Sequence, residues 1–157
     1  MFDMLRPALA DQLHLYAEYH RHPLNQLTHK LAIPLIVFHS IAMLSWLSLG
    51  TPFGLSLNLG QVVYLAVIAW YFSLDARLAV LMALLFGLCF PLAAVTPRPV
   101  VIGLAIFAWL VQLAGHFIWE KRSPAFLTNL FQALIGPLFF VAVLVGVWPA
   151  SRVEARA

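Results

Sequence analysis

Four stretches of this chain, residues 31–74, 78–97, 99–119 and 123–151, contain no Asp, Glu, Lys or Arg at all. A helical crossing of a bilayer needs roughly 20 apolar residues at 1.5 Å rise each. The first stretch is long enough for two crossings and each of the others for one. Period-two alternation is absent, and in lipid the backbone must satisfy its own hydrogen bonds, so helices are expected instead of a barrel. With 63% hydrophobic and 10% charged residues against about a quarter charged in soluble domains, the composition agrees. The expectation is an all-α, polytopic membrane bundle of about five hydrophobic segments, a single integral-membrane domain over residues 1–157.

Other readings are set aside by the same residues. Residues 1–30 carry Asp3, Arg6, Asp11, Glu18, Arg21 and Lys30 with no apolar core, unlike a cleaved signal peptide. Cys89 is the single cysteine, which excludes an internal disulfide. The net charge of +3 comes from basic residues scattered at segment ends, where they read as topology signals and not as a nucleic-acid surface. Trp46, Trp109, Trp119 and Trp148 fall mostly near segment ends, as interfacial belts do.

Residues 4–20 read as an interfacial amphipathic helix, because Leu5, Leu9, Leu13 and Tyr16 recur at helical spacing and His20 extends the stripe. Pro23 interrupts it, and Asn25 is expected to cap the next helix. The expected spans cover about 31–49, 61–74, 78–95 and 100–119, and a last segment over 126–148 carries Gly136-Pro137 near its middle. Arg6, Arg21 and Lys30 precede the first span while loop 50–60 has no basic residue, which puts the N-terminus in the cytoplasm. Counting crossings, Asp75-Ala76-Arg77 and Glu120-Lys121-Arg122 then fall on that side too.

Two clusters carry chemistry. His20, His22, Asn25 and His29 lie within a few residues of one another before the first span, and His116 lies one turn inside the end of the fourth. In one continuous helix His20 and His29 would point about 180° apart; with a break at Pro23 they can face a common point. Gln112, His116 and Glu120 share one helical stripe. Imidazoles suit Fe, Zn, Cu or Ni, and spacing does not choose among them. The plainer alternatives stand beside this: helix caps and interhelical hydrogen bonds for the polar residues, a salt bridge for Glu120, a core hydrogen bond for His39, an interfacial place for His14 and an exposed turn for His22.

At these segments the sequence resembles the Mpo1-like family. The matching pieces are Tyr19-His20, Pro23, Asn25, His29 and Pro34, then Gln112, Gly115-His116, Glu120-Lys121-Arg122, Pro124-Ala125, Asn129-Leu130 and Gln132. The resemblance implies an Fe(II)-dependent membrane dioxygenase that performs α-oxidation of 2-hydroxy fatty acids to fatty acids one carbon shorter, with O2 as co-substrate and membrane lipid around it. It carries iron ligation to His20, His29 and His116. Glu120, Gln112 and Asn25 follow as catalytic groups close to the metal, while His14, His22 and His39 have no counterparts. The alternatives are a zinc-dependent lipid-modifying hydrolase on the same histidines, or a non-enzymatic lipid-binding or transport protein. The Ala-, Leu- and Arg-rich, lysine-poor composition points to a bacterial inner membrane, with the endoplasmic reticulum the place if the source is eukaryotic.

Overall fold

The computed structural model describes residues 7–148. Its helices are α1 (Pro7–Glu18), α2 (Pro23–Ser45), α3 (Leu59–Leu74), α4 (Ala76–Gly87), α5 (Cys89–Val95), α6 (Arg98–Ala114) and α7 (Phe131–Leu144). Among the described residues the extended structure amounts to one isolated bridge, Ser48 with Asn58. Three stretches are long and apolar enough to cross a membrane, Pro23–Ser45, Ala76–Val95 and Arg98–Glu120, and two shorter apolar helices are α3 and α7. Leu84, Leu85, Leu88, Leu92 and Val95 all lie exposed along α4, α5 and the residue that joins them. A water-soluble protein rarely presents so continuous an apolar surface; in a bilayer it faces lipid.

Element boundaries differ from expectation in instructive ways. The first span starts at Pro23, eight residues before the apolar run, so Lys30 lies within the helix on its exposed side. Proline at the first helical position needs no N–H partner and has its φ preset. Asn25 is therefore inside the helix and is not its cap. Helices α3 and α7, of 16 and 14 residues, measure about 24 Å and 21 Å at 1.5 Å per residue, short of a roughly 30 Å hydrocarbon core.

The chain divides into two compact units. The first combines residues up to Pro34 with those from Ala108 onward. Of the predicted stripe, Leu5 lies outside the described residues, and Leu9, Leu13 and Tyr16 on α1 are all covered. Helix α7 meets them with Ile135, Leu138, Phe139 and Ala142, with Tyr16 and Phe139 ring centroids 4.9 Å apart. Residue 136 is glycine where α7 passes Tyr16; a Cβ there would approach the Tyr16 hydroxyl and Ile33 to 3.2 Å.

The second unit is Leu35–Phe107. Asp75 alone connects α3 to α4, and its Oδ1 accepts from the N–H groups of Arg77 (2.9 Å) and Leu78 (3.1 Å), capping α4. Asn58 and Gln61 cap α3 reciprocally, each side chain accepting from the other's backbone N–H. Cys89 is half-buried and its thiol reaches the Leu85 carbonyl, a packing role.

Candidate metal centre

Three imidazoles meet inside the first unit. His20 follows the end of α1, His29 stands two turns into α2, and His116 belongs to a wide turn, Gly115–Glu120, that ends α6. Their ring centroids are 4.5, 4.9 and 4.7 Å apart, and the planes cross at 70–81°. Each offers one nitrogen within 4.8 Å of the other two. All three are buried, with at most 3% of any of them exposed.

Local backbone geometry decides which nitrogen faces inward. His20 Nδ1–H donates to the Tyr16 carbonyl and His29 Nδ1–H to the Asn25 carbonyl, both at 2.7 Å and both one helical turn back. A ring whose Nδ1 carries the proton presents a bare lone pair at Nε2, the arrangement that orients metal-ligating histidines generally. His29 Nε2 lies 3.0 Å from His116 Nε2. Two nitrogens bound at about 2.0–2.1 Å to one ion, at angles of 90–110°, stand roughly 2.9–3.4 Å apart. The donor set therefore fits a metal ion. Burial, and next the neighbouring His29, hold His20 well below the usual imidazole pKa, while its hydrogen bond to Tyr16 opposes the shift. The site keeps that ring neutral, as a ligand must be.

Glu120, predicted beside the metal, is not in the group that could grip one ion. It reaches back across the chain to the turn between α1 and α2. Its Oε1 accepts from Arg21 N–H (3.0 Å), and its Oε2 from His22 N–H and Asn25 Nδ2–H (both 2.9 Å). The two backbone donors lie just ahead of α2, where no helical carbonyl pairs with them; the third is a side-chain amide, and a carboxylate suits the positive end of the helix. Glu120 thus fastens the segment carrying His20 and His29 to the one carrying His116. Arg122 adds a second strap, its guanidinium 5.1 Å from the Tyr19 ring centroid.

Asn25 is fully buried between these groups: its carbonyl orients His29, its amide donates to Glu120, and its Oδ1 has no partner. Gln112, a turn before His116, is also buried with Oε1 unpartnered, as are His116 Nδ1 and the Tyr16 hydroxyl. Buried polar atoms without partners are costly, and these four belong to His116, to a residue one turn before it, and to the residues whose carbonyls orient His20 and His29. His22 turns away, its Nδ1 accepting from Leu24 N–H at 3.2 Å. His14 is exposed against the edge of Trp148, 4.6 Å between centroids. His39 is buried in the second unit.

Sequence reasoning passed over three contributors. Tyr16 stacks on His20, 3.9 Å between centroids and 13° between planes; its place four residues before His20 was the available signal. Thr28 donates to the Asn25 carbonyl at 2.7 Å. Gly115 lets α6 approach α2, since a Cβ there would collide with Thr28 Oγ1 and Asn25 Oδ1.

Fold and site together define a helical membrane protein with a buried, three-imidazole centre able to hold a metal ion. The chain belongs to the Mpo1-like family: residues 7–147 match the family described as "2-hydroxy-palmitic acid dioxygenase Mpo1-like". It is 30% identical over 138 residues to the 2-hydroxy-palmitic acid dioxygenase MPO1 of Saccharomyces cerevisiae, covering 85% of this chain and 76% of the yeast protein. No solved structure matches it.

Proposed function

We propose that this protein is an Fe(II)-dependent dioxygenase that shortens 2-hydroxy fatty acids by one carbon, acting at the cytoplasmic face of the membrane. The observation that carries this reading is the convergence of His20, His29 and His116 within 4.8 Å. The activity for which the yeast relative is named supports the substrate class. The reaction balances on O2 alone: R–CHOH–COOH + O2 gives R–COOH, CO2 and H2O. The C1–C2 bond breaks, C2 is oxidised to a carboxyl, and both oxygen atoms of O2 are fully reduced without an external reductant.

His20, His29 and His116 hold the ion, and bound Fe(II) supplies redox exchange with O2 and open positions for oxygen ligands. The chain's own residues do the rest. Tyr16 and Asn25 carbonyls fix two imidazole orientations, and Glu120 locks the turn between them. Burial of all three rings keeps bulk water from competing. Asn25 Oδ1 and Gln112 Oε1 are acceptors still open to a substrate hydroxyl or a water. Arg21, Lys30 and Lys121 are exposed at the protein surface, so they attract a carboxylate only from outside the buried histidine cluster. Each buried methylene of the tail contributes roughly 0.8 kcal/mol to binding.

Purification without oxygen, followed by elemental analysis, should find iron, and 2-hydroxypalmitate labelled at C1 should release labelled CO2 with one O2 consumed per turnover. The His116→Ala variant should lose both metal and turnover. Zinc in place of iron with no oxygen uptake would point to a hydrolase, and full activity of His116→Ala would remove the site assignment.

A further inference from the structure

A cavity of about 600 Å³ lies within the second unit, lined by Ala42, Trp46, Asn58, Gln61, Ala93 and Arg98 among others. It adjoins the ends of three candidate spans, one finishing at Ser45, one at Val95 and one starting at Arg98. Span ends with tryptophan and arginine are at headgroup depth. Its volume falls in the range of small-molecule sites, roughly 300–1,000 Å³.

The lining offers hydrogen-bond donors that no acceptor among the described residues receives. Arg98 sits over the Trp46 ring, its guanidinium carbon 5.2 Å from the centroid, and no carboxylate pairs with it among the described residues. Asn58 Oδ1 and Gln61 Oε1 are both occupied by backbone N–H groups. Each amide's NH2 group has no acceptor among the described residues. Ser45 and Thr96 direct their protons to the Ile41 and Leu92 carbonyls, so they add no donor. Two helix N-termini at this rim are offset by two C-termini, and selectivity rests on Arg98 and the amides. The rest of the lining is largely apolar, with small side chains at Ala42, Ala93 and Ala94 and rings at Phe90 and Trp46.

We infer that this cavity is a binding site for an anionic phospholipid, with its phosphate on Arg98 and the Asn58 and Gln61 amides and an acyl chain along the apolar lining. The lining contains no carboxylate for a choline cation, so a net-negative headgroup is favoured. This site is independent of the dioxygenase reading.

Delipidated, detergent-purified protein should be examined by native mass spectrometry with phosphatidylglycerol, phosphatidylcholine or inorganic phosphate. Phosphatidylglycerol should bind at least tenfold tighter than phosphatidylcholine, and phosphate alone should bind at least tenfold more weakly than phosphatidylglycerol. Arg98→Gln should lose at least tenfold of that affinity. Ala93→Leu, which enlarges the apolar lining without touching the charge, should lose severalfold and decides the matter if Arg98→Gln does not fold. Equal binding of the two lipids, unchanged binding in the variants, or phosphate binding as tight as phosphatidylglycerol would overturn the assignment.

Discussion

Glu120 and His20 show how single residues set up the centre. Both Glu120 oxygens are engaged at the α1–α2 turn, so its effect on a metal held by the three imidazoles would pass through the positions of His20 and His29. Glu120→Gln exchanges one acceptor oxygen for a donor that faces N–H groups. It should cost about 1–3 kcal/mol of stability and weaken metal binding by roughly 10–100-fold, read by thermal unfolding and anaerobic metal titration. Lost turnover with unchanged melting and metal affinity would instead make Glu120 a group that touches the reacting atoms. His20 gives a pH dependence. Its folded pKa lies well below the ordinary value near 6.5. Between the two values the unfolded chain takes up a proton that the folded one refuses, so stability rises with pH. That contribution is fully present above about pH 7 and is lost as pH falls below about 6.5 toward the folded value. The metal-free protein should melt at lower temperature at pH 5.5 than at pH 7.5, and His20→Gln should remove up to one proton's worth of slope, about 1.4 kcal/mol per pH unit. An unchanged slope would mean His20 titrates normally in the fold.

At the scale of elements, the wide turn at the end of α6 is the feature that sequence periodicity could not reveal. Lys121 N–H closes on the His116 carbonyl, five residues back, and Lys121 itself adopts φ 53°. Such widened turns recur at functional sites, but their side chains read as ordinary α spacing. Gln112, His116 and Glu120 accordingly looked like one stripe facing one target. In the fold His116 faces the other imidazoles while Glu120 turns to the neighbouring turn. By contrast, the break at Pro23 and the buried stripe of Leu9, Leu13 and Tyr16 were legible, because proline chemistry and 3.6-residue periodicity are local properties. The helix start at Pro23 was not, since the groups that satisfy it come from a residue nearly a hundred positions away. Close packing of α6 on α2 makes a paired prediction. Gly115→Ala would press a methyl group on Thr28 and Asn25, 3.4 Å from His29 Nδ1, and should destabilise by about 1–3 kcal/mol while weakening metal binding. Gly103→Ala, on the same helix with nothing within 4 Å, should stabilise by up to about 1 kcal/mol through helix propensity. If the two substitutions had the same effect, the tight crossing at Gly115 would not exist.

For the whole molecule, the division into two units makes metal binding a regional event. All three imidazoles, with Tyr16, Asn25, Gln112 and Glu120, belong to the first unit, assembled from the two ends of the described chain. Its long-range closure includes α1 against α7 with Gln132 Nε2–H donating to Gln12, the three hydrogen bonds of Glu120, Arg122 over Tyr19, Gly115 against Asn25 and Thr28, and the imidazoles themselves. The second unit is held by a sequence-local hairpin, α3 and α4 joined through Asp75. A ligand that binds only the folded state stabilises it by RT ln(1 + [L]/Kd), about 2.7 kcal/mol at a hundredfold excess over Kd. Where opening is local, that free energy appears only in the region that must open to release the ligand. Hydrogen exchange in detergent, with and without Fe(II), should therefore show slower exchange in residues 16–34 and 108–122. Residues 59–87 should exchange at the same rate in both states. Adding a chelator should reverse the difference in the first region, and His116→Ala should abolish it while leaving the second region unchanged. Protection that spread evenly over both regions would show that the chain opens as one cooperative body, and protection confined to residues 59–87 would place the metal elsewhere.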